Sequence, residues 1–235
     1  MTSRWDTIAA DGGEMRCYVS APAGAANLPG IIVIQHAGGV DAFVQGMCDR
    51  FAGEGLAAVS PDLYHRGDPS SSDDAMTRMM RLRDNTVESD VNAAIAHARS
   101  LPEVDGDRMG ITGYCMGGRV TYLMAARSDA FKAAVDCWGG SCMMAWGDGP
   151  APFDLTGDIT CPVLGLFGED DPNPNPADVA KMDAEMTRLG VPHEFHSYAG
   201  AGHAFIVESR PSYREEAARD AWKRTTDWFD RYLRA

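Results

Sequence analysis

Long apolar runs are missing from this chain: nowhere do the roughly 18 consecutive apolar residues of a membrane-spanning helix occur. The segment Met1-Thr2-Ser3-Arg4-Trp5-Asp6 also lacks the apolar core of a secretory signal, so a cytoplasmic protein with no membrane partner is expected. Basic charge is scarce. Lys and Arg number 21 against 34 Asp and Glu, a formal charge of -13, which argues against nucleic acid or an anionic surface bound through a general basic field. The six cysteines are scattered without a C-x-x-C pair, so neither a disulfide framework nor a zinc site is indicated. No Ser/Gly/Pro-rich linker divides the 235 residues. With 45% apolar and 23% charged residues, the chain is expected to bury one core, as a single domain over 1–235. Nothing in the sequence assigns an oligomeric state.

What is present alternates between strand and helix signals. Ile31-Ile32-Val33-Ile34-Gln35 is a largely β-branched run, as in a buried parallel strand, and His36-Ala37-Gly38-Gly39 forms the loop at its carboxyl end. Asp41 caps a helix through Ala52, closed by Gly53 and Gly55, and Leu56 to Ser60 is the next strand, stopped by Pro61. Arg66 to Asp74 reads as a polar loop, with a helix after it. Asn85-Thr86-Val87-Glu88 resembles a capping box ahead of Val91, Ala94, Ile95 and Ala98 at helical spacing. Further strands are expected at Met109 to Thr112, Ala133 to Val135, Val163 to Phe167 and His193 to Tyr198. Helices are expected behind Gly118, from Pro176 to Leu189, and from Ser212 to Leu233 with Ala218, Trp222, Phe229 and Leu233 on one apolar face. The fold class is therefore α/β, a doubly wound, mostly parallel sheet with helices on both faces. Residues 139–158 carry five glycines and two prolines without periodicity, the mark of a functional loop bordering the active site.

The segment that carries chemistry is Gly113-Tyr114-Cys115-Met116-Gly117, a Gly-x-nucleophile-x-Gly spacing between a strand and a helix, with cysteine at its centre. A nucleophile on so sharp a turn needs small neighbours two residues away on each side. The helix that follows aims its free N–H groups at the sulfur, which favours a thiolate and the anion of acyl transfer. A thiol nucleophile needs a base, and of six histidines His203 lies in Gly200-Ala201-Gly202-His203-Ala204-Phe205, a loop just after a strand. The base needs an acid, and Glu169, Asp170 and Asp171 stand together after another strand; spacing alone does not choose among them.

The chain resembles the dienelactone hydrolase (carboxymethylenebutenolidase) family of the α/β-hydrolase fold. The resemblance rests on Gly113 to Gly118, Val33-Ile34-Gln35, Ser60-Pro61-Asp62-Leu63-Tyr64, Gly168 to Asp171 and Ala201 to Phe205. It implies Asp171 as the acid, ahead of Asp170 and Glu169, and an oxyanion hole from the backbone N–H groups of Ala37 and Met116. It also implies an ester or lactone as the small-molecule substrate, with no metal or organic cofactor. Two positions depart from the family. His36 replaces a glutamate that engages the resting thiol, and Val207 replaces an arginine that grips an anionic substrate. His36, Tyr64 and Arg81 are candidates to bind substrate or tune the thiol, with Arg78 and Arg83 as further arginines near a divergent segment. Met79, Met80, Met143 and Met144 are candidates to line an apolar pocket, while a methionine partner surface including Met47 and Met76 is the alternative. The expected activity is ester or lactone hydrolysis through an acyl-cysteine. Thioester hydrolysis or acyl transfer on the same residues, and a non-catalytic ligand-binding protein that keeps the fold, are the rival readings.

Overall fold

The computed structural model describes residues 1–68 and 70–234. Eight strands form one sheet: β1 (Thr2–Ala10), β2 (Gly13–Ala21), β3 (Leu28–Ile34), β4 (Ala57–Pro61), β5 (Val104–Tyr114), β6 (Phe131–Cys137), β7 (Val163–Gly168) and β8 (His193–Tyr198). Their order across the sheet is β1-β2-β4-β3-β5-β6-β7-β8. β3 to β8 pair in parallel, and only the hairpin β1–β2 and its join to β4 are antiparallel. The central strands β3 and β4 bury nearly every residue, as strands covered on both faces must.

Six helices complete the layers: α1 (Ala42–Gly53), α2 (Ala75–Met80), α3 (Asp84–Ser100), α4 (Met116–Arg127), α5 (Pro176–Leu189) and α6 (Glu215–Leu233). The core is split by the sheet. One half gathers Val87 and Val91 of α3, Val120 and Tyr122 of α4 and Met182 of α5; the other gathers Val44 and Phe51 of α1 and Trp228 and Phe229 of α6. Local signals explain the boundaries that match expectation. Asp41 Oδ1 accepts from the N–H groups of Phe43 and Val44 to start α1. Asn175 does the same for α5, with Pro176 in its first turn and Gly190 closing it at φ +72°.

Three expectations are corrected. The hairpin β1–β2 has no counterpart in the sequence reading; Met15, Cys17, Val19 and Ala21 alternate into one core while Tyr18 enters the other, a two-sided burial that hides the period of two. No capping box opens α3: the helix begins at Asp84, two residues before the Thr86 that a cap at Asn85 would make its first, and the Asp84 carboxylate is committed to a tertiary ion pair. The apolar face of α6 is Ala221, Thr225, Trp228, Phe229 and Leu233, with Trp222 at its edge stacked under Arg50 at 3.9 Å. Within residues 139–158, Pro152–Asp158 coil into a 3-10 helix. Among the described residues no helix is long and apolar enough to cross a membrane.

Candidate active site

Cys115 stands between the last residue of β5 and the first of α4, at φ 59° and ψ -120°. That conformation is strained for a residue with a Cβ and survives only where the surroundings enforce it. Here they do. A Cβ on Gly113 would collide with the Gly117 carbonyl, and one on Gly117 would sit 2.5 Å from Ile34 O, so both glycines let the elbow lie flat against β3. The Cys115 N–H donates to Cys137 O at 3.0 Å, which pins the turn to β6.

His203 follows β8 in a loop held by Ser212 Oγ, which donates to the His203 carbonyl at 2.6 Å. Its Nδ1 lies 2.8 Å from Asp171 Oδ2. The three adjacent acids are separated by burial: Asp171 is 2% exposed, while Glu169 and Asp170 face solvent. Asp171 Oδ1 accepts from Asn173 N–H at 2.8 Å, so the carboxylate is fixed at both oxygens. Burial opposes charge on the His203 ring. The hydrogen bond to Asp171 and the hydrogen bonding and charge of Cys115 outweigh it, and the pKa is pushed up to about 10. Cys115, His203 and Asp171 border one cavity of about 570 Å³.

Ala37 and Met116 line that cavity too. Met116 N–H belongs to the first turn of α4, where backbone donors have no intrahelical acceptor. The loop is held from behind at the Ala37–Gly38 peptide, because Tyr64 Oη donates to Ala37 O at 2.9 Å and lies 3.4 Å from Met116 Sδ. Burial pushes the Tyr64 pKa well above its ordinary value, which keeps the phenol a donor. Gln35 links the same two loops, its Oε1 accepting from Leu63 N–H at 3.1 Å. Tyr64 thus supports the loop after β3 rather than lining the cavity of Cys115.

His36 is placed differently from the thiol-tuning expectation. Its Nδ1 accepts from Gly38 N–H at 3.0 Å, so Nε2 carries the proton and donates to Asp41 Oδ2 at 3.0 Å. Both ring nitrogens are used within the loop, and neither engages the sulfur. Arg81 is also elsewhere: it pairs with Asp73 at 2.5 Å and opens onto an adjoining cavity of about 920 Å³ with Arg78, which lies over the Tyr64 ring. Of the three arginines only Arg83 borders the Cys115 cavity, and its Nη1 donates to the carbonyls of Met80 and Leu82. The methionines divide. Met76, Met79, Met80 and Met144 line the cavity, whereas Met47 is buried in the core and Met143 packs against it.

The residue that sequence reasoning missed is Arg119. It is fully buried in α4 and forms a bidentate pair with Asp84 at the start of α3, Nη1 to Oδ1 at 2.6 Å and Nη2 to Oδ2 at 3.1 Å. Arg119 also donates to the carbonyls of Ser141 and Met144 and covers the Trp146 ring at 3.8 Å. Trp146 N–H in turn donates to Asp84 Oδ2 at 2.8 Å. The front of the long loop is therefore a clamped strap, and its residues 140–147 form one wall of the cavity. The available signal was a cation inside the otherwise uncharged run Met116 to Ala126, a residue type rarely buried unless paired.

Comparison with known proteins agrees with this architecture. A sequence model described as the dienelactone hydrolase family matches residues 15–233. A Methylorubrum extorquens protein named provisionally as a carboxymethylenebutenolidase is 38% identical over 94% of this chain and 78% of its own length. A Salmonella typhimurium protein of the same name is 36% identical over 96% of this chain and 86% of its own. A Klebsiella pneumoniae crystal structure, named provisionally as a dienelactone hydrolase, superposes with a TM-score of 0.91 at 35% identity, covering 98% of this chain and 99% of that one. With matches of this extent in sequence and in structure, the chain belongs to the dienelactone hydrolase family and is a hydrolase.

Proposed function

We propose that the protein hydrolyses a carboxylic ester or lactone through an acyl-cysteine intermediate, with Cys115 as nucleophile, His203 as base and acid, and Asp171 as the group that orients His203. The observation that carries this reading is the pairing of His203 with the buried Asp171 at 2.8 Å, in one cavity with a strained cysteine at a helix start. His203 holds the Cys115 proton as an imidazolium, and the thiolate attacks the acyl carbon. The oxyanion is received by the N–H groups of Ala37 and Met116. His203 then protonates the departing alkoxide as the C–O bond breaks. Water, deprotonated by His203, adds to the thioester, and the thiolate leaves with the acid product formed.

A direct test is intact-mass measurement during turnover of an aryl ester. The acyl group is expected on the wild-type chain and absent from Cys115→Ala; an adduct that forms equally on both would remove Cys115 from the mechanism.

The raised pKa of His203 fixes the sign of the pH response. A group whose folded pKa lies above its unfolded value of about 6.5 keeps its full stabilising contribution below that value and loses it as pH rises through the folded one. The imidazolium that protonates the alkoxide therefore persists through neutral pH in the free enzyme, and kcat/KM, which reports the free enzyme, is expected to fall on the alkaline side, toward about 10. Asp171→Asn removes a cause of the upward shift and should move that alkaline limb to lower pH. An unmoved limb would detach Asp171 from the titration of His203.

A further inference from the structure

Five large apolar side chains are exposed among the described residues, and three of them, Met76, Met80 and Met144, line the cavity that holds Cys115. They come from two separate elements, α2 and the strap clamped by Arg119. α2 buries none of its six residues, and while Met79 packs against the core, Met76 and Met80 stay exposed. Exposed apolar side chains scattered singly need no explanation, but here they gather at the mouth of one site, which marks a place where apolar surface is covered. Methionine suits such a rim because its unbranched thioether follows the shape of what it meets.

The charges of the cavity point the same way. Its ionisable lining is Arg83, Cys115, Asp171 and His203. Arg83 donates to the carbonyls of Met80 and Leu82, and Asp171 is held by His203 and Asn173. Arg78 and Arg81 open onto the neighbouring cavity instead.

Resting on the ester-hydrolase reading above, we propose that the substrate is an uncharged ester whose apolar acyl chain is seated against Met76, Met80 and Met144. The chain lies between α2 and the strap, with its carbonyl at Cys115. Substrate preference then follows apolar area, and each added methylene that reaches the methionines raises kcat/KM by roughly two- to fourfold. A carboxylate at the end of the same chain reverses the gain, because the methionines offer it no donor and the Arg83 guanidinium is turned to the carbonyls of Met80 and Leu82.

The test has two arms. Wild-type turnover is measured on p-nitrophenyl acetate, butyrate and hexanoate and on the anionic mono-p-nitrophenyl ester of adipic acid. Binding of the same four esters to Cys115→Ala protein is measured by calorimetry. Expected are a rise from acetate to hexanoate and at least a tenfold discrimination against the anion in both arms. Met76→Ser/Met80→Ser/Met144→Ser, all at exposed positions, should reduce the hexanoate-to-acetate ratio several-fold. Chain-length-dependent binding without turnover would leave this inference standing and overturn the catalytic reading. A flat series, or a preference for the anionic ester in either arm, overturns the inference whatever the turnover.

Discussion

Cys115→Ala is expected to lower kcat/KM for an aryl ester by about 10⁴-fold or more, the scale on which a lone nucleophile is lost from a working triad. The loss should fall on kcat, because Ala37, Met116 and the methionine rim still receive the substrate. The fold should be indifferent. Cys115 is only half-buried, and alanine at φ 59° carries the same Cβ in the same strained conformation, so thermal unfolding should shift by no more than a degree or two. Cys115→Ser separates nucleophile from geometry. An alkoxide is far harder to form than a thiolate, and the sulfur's contribution to holding the imidazolium is lost with it. Serine should therefore recover only a small part of the activity, although its hydroxyl fits the elbow. A Cys115→Ala protein with more than a tenth of wild-type kcat/KM would place the reaction on another group.

How much of this was legible in advance depends on the range over which each feature is determined. The elbow could be read because its requirement is local: two glycines are needed wherever a nucleophile turns so tightly, and here their missing Cβ atoms would strike Gly117 and Ile34 backbone. The bounds of α5 were equally legible from Asn175, Pro176 and Gly190, whose capping roles depend on neighbours within four residues. The choice among Glu169, Asp170 and Asp171 was not decided by spacing, because what separates them is burial: one carboxylate turns inward to His203 and two remain in solvent. The role of His36 stayed open for a related reason. Its ring is captured by Gly38 and Asp41, and nothing in a residue type reveals which partner a loop will bring to it. Arg81, on an exposed turn after α2, is drawn out to Asp73 by the same kind of local pairing. The partners of Arg119 lay beyond sequence reasoning, since Asp84, Ser141, Met144 and Trp146 come from segments that only the fold assembles.

That last cluster carries the second large effect. Arg119→Met should destabilise the protein by about 3–5 kcal/mol, because it leaves the Asp84 carboxylate in place without its bidentate partner. Methionine retains most of the aliphatic volume, so the cost is electrostatic rather than that of a cavity. The cause can be isolated with Asp84→Leu. In the double variant Arg119→Met/Asp84→Leu no buried charge is left uncompensated, and most of the lost stability should return, as for other buried pairs replaced by apolar residues. Function should not return with it. The Arg119 guanidinium ties the carbonyls of Ser141 and Met144 to α4, and without those bonds the strap is no longer fixed opposite α2. The double variant should therefore unfold at nearly the wild-type urea midpoint yet show a raised KM for hexanoate relative to acetate, with kcat on acetate changed far less. Urea titration and the two-ester comparison together separate the roles. A single variant that costs under about 1 kcal/mol would mean the pair does not hold this part of the fold and that the half-buried Asp84 is satisfied by Trp146 N–H and solvent. A double variant that kept the wild-type preference for hexanoate would mean that Trp146 and the Asn173–Ser141 hydrogen bonds hold the wall without help from Arg119.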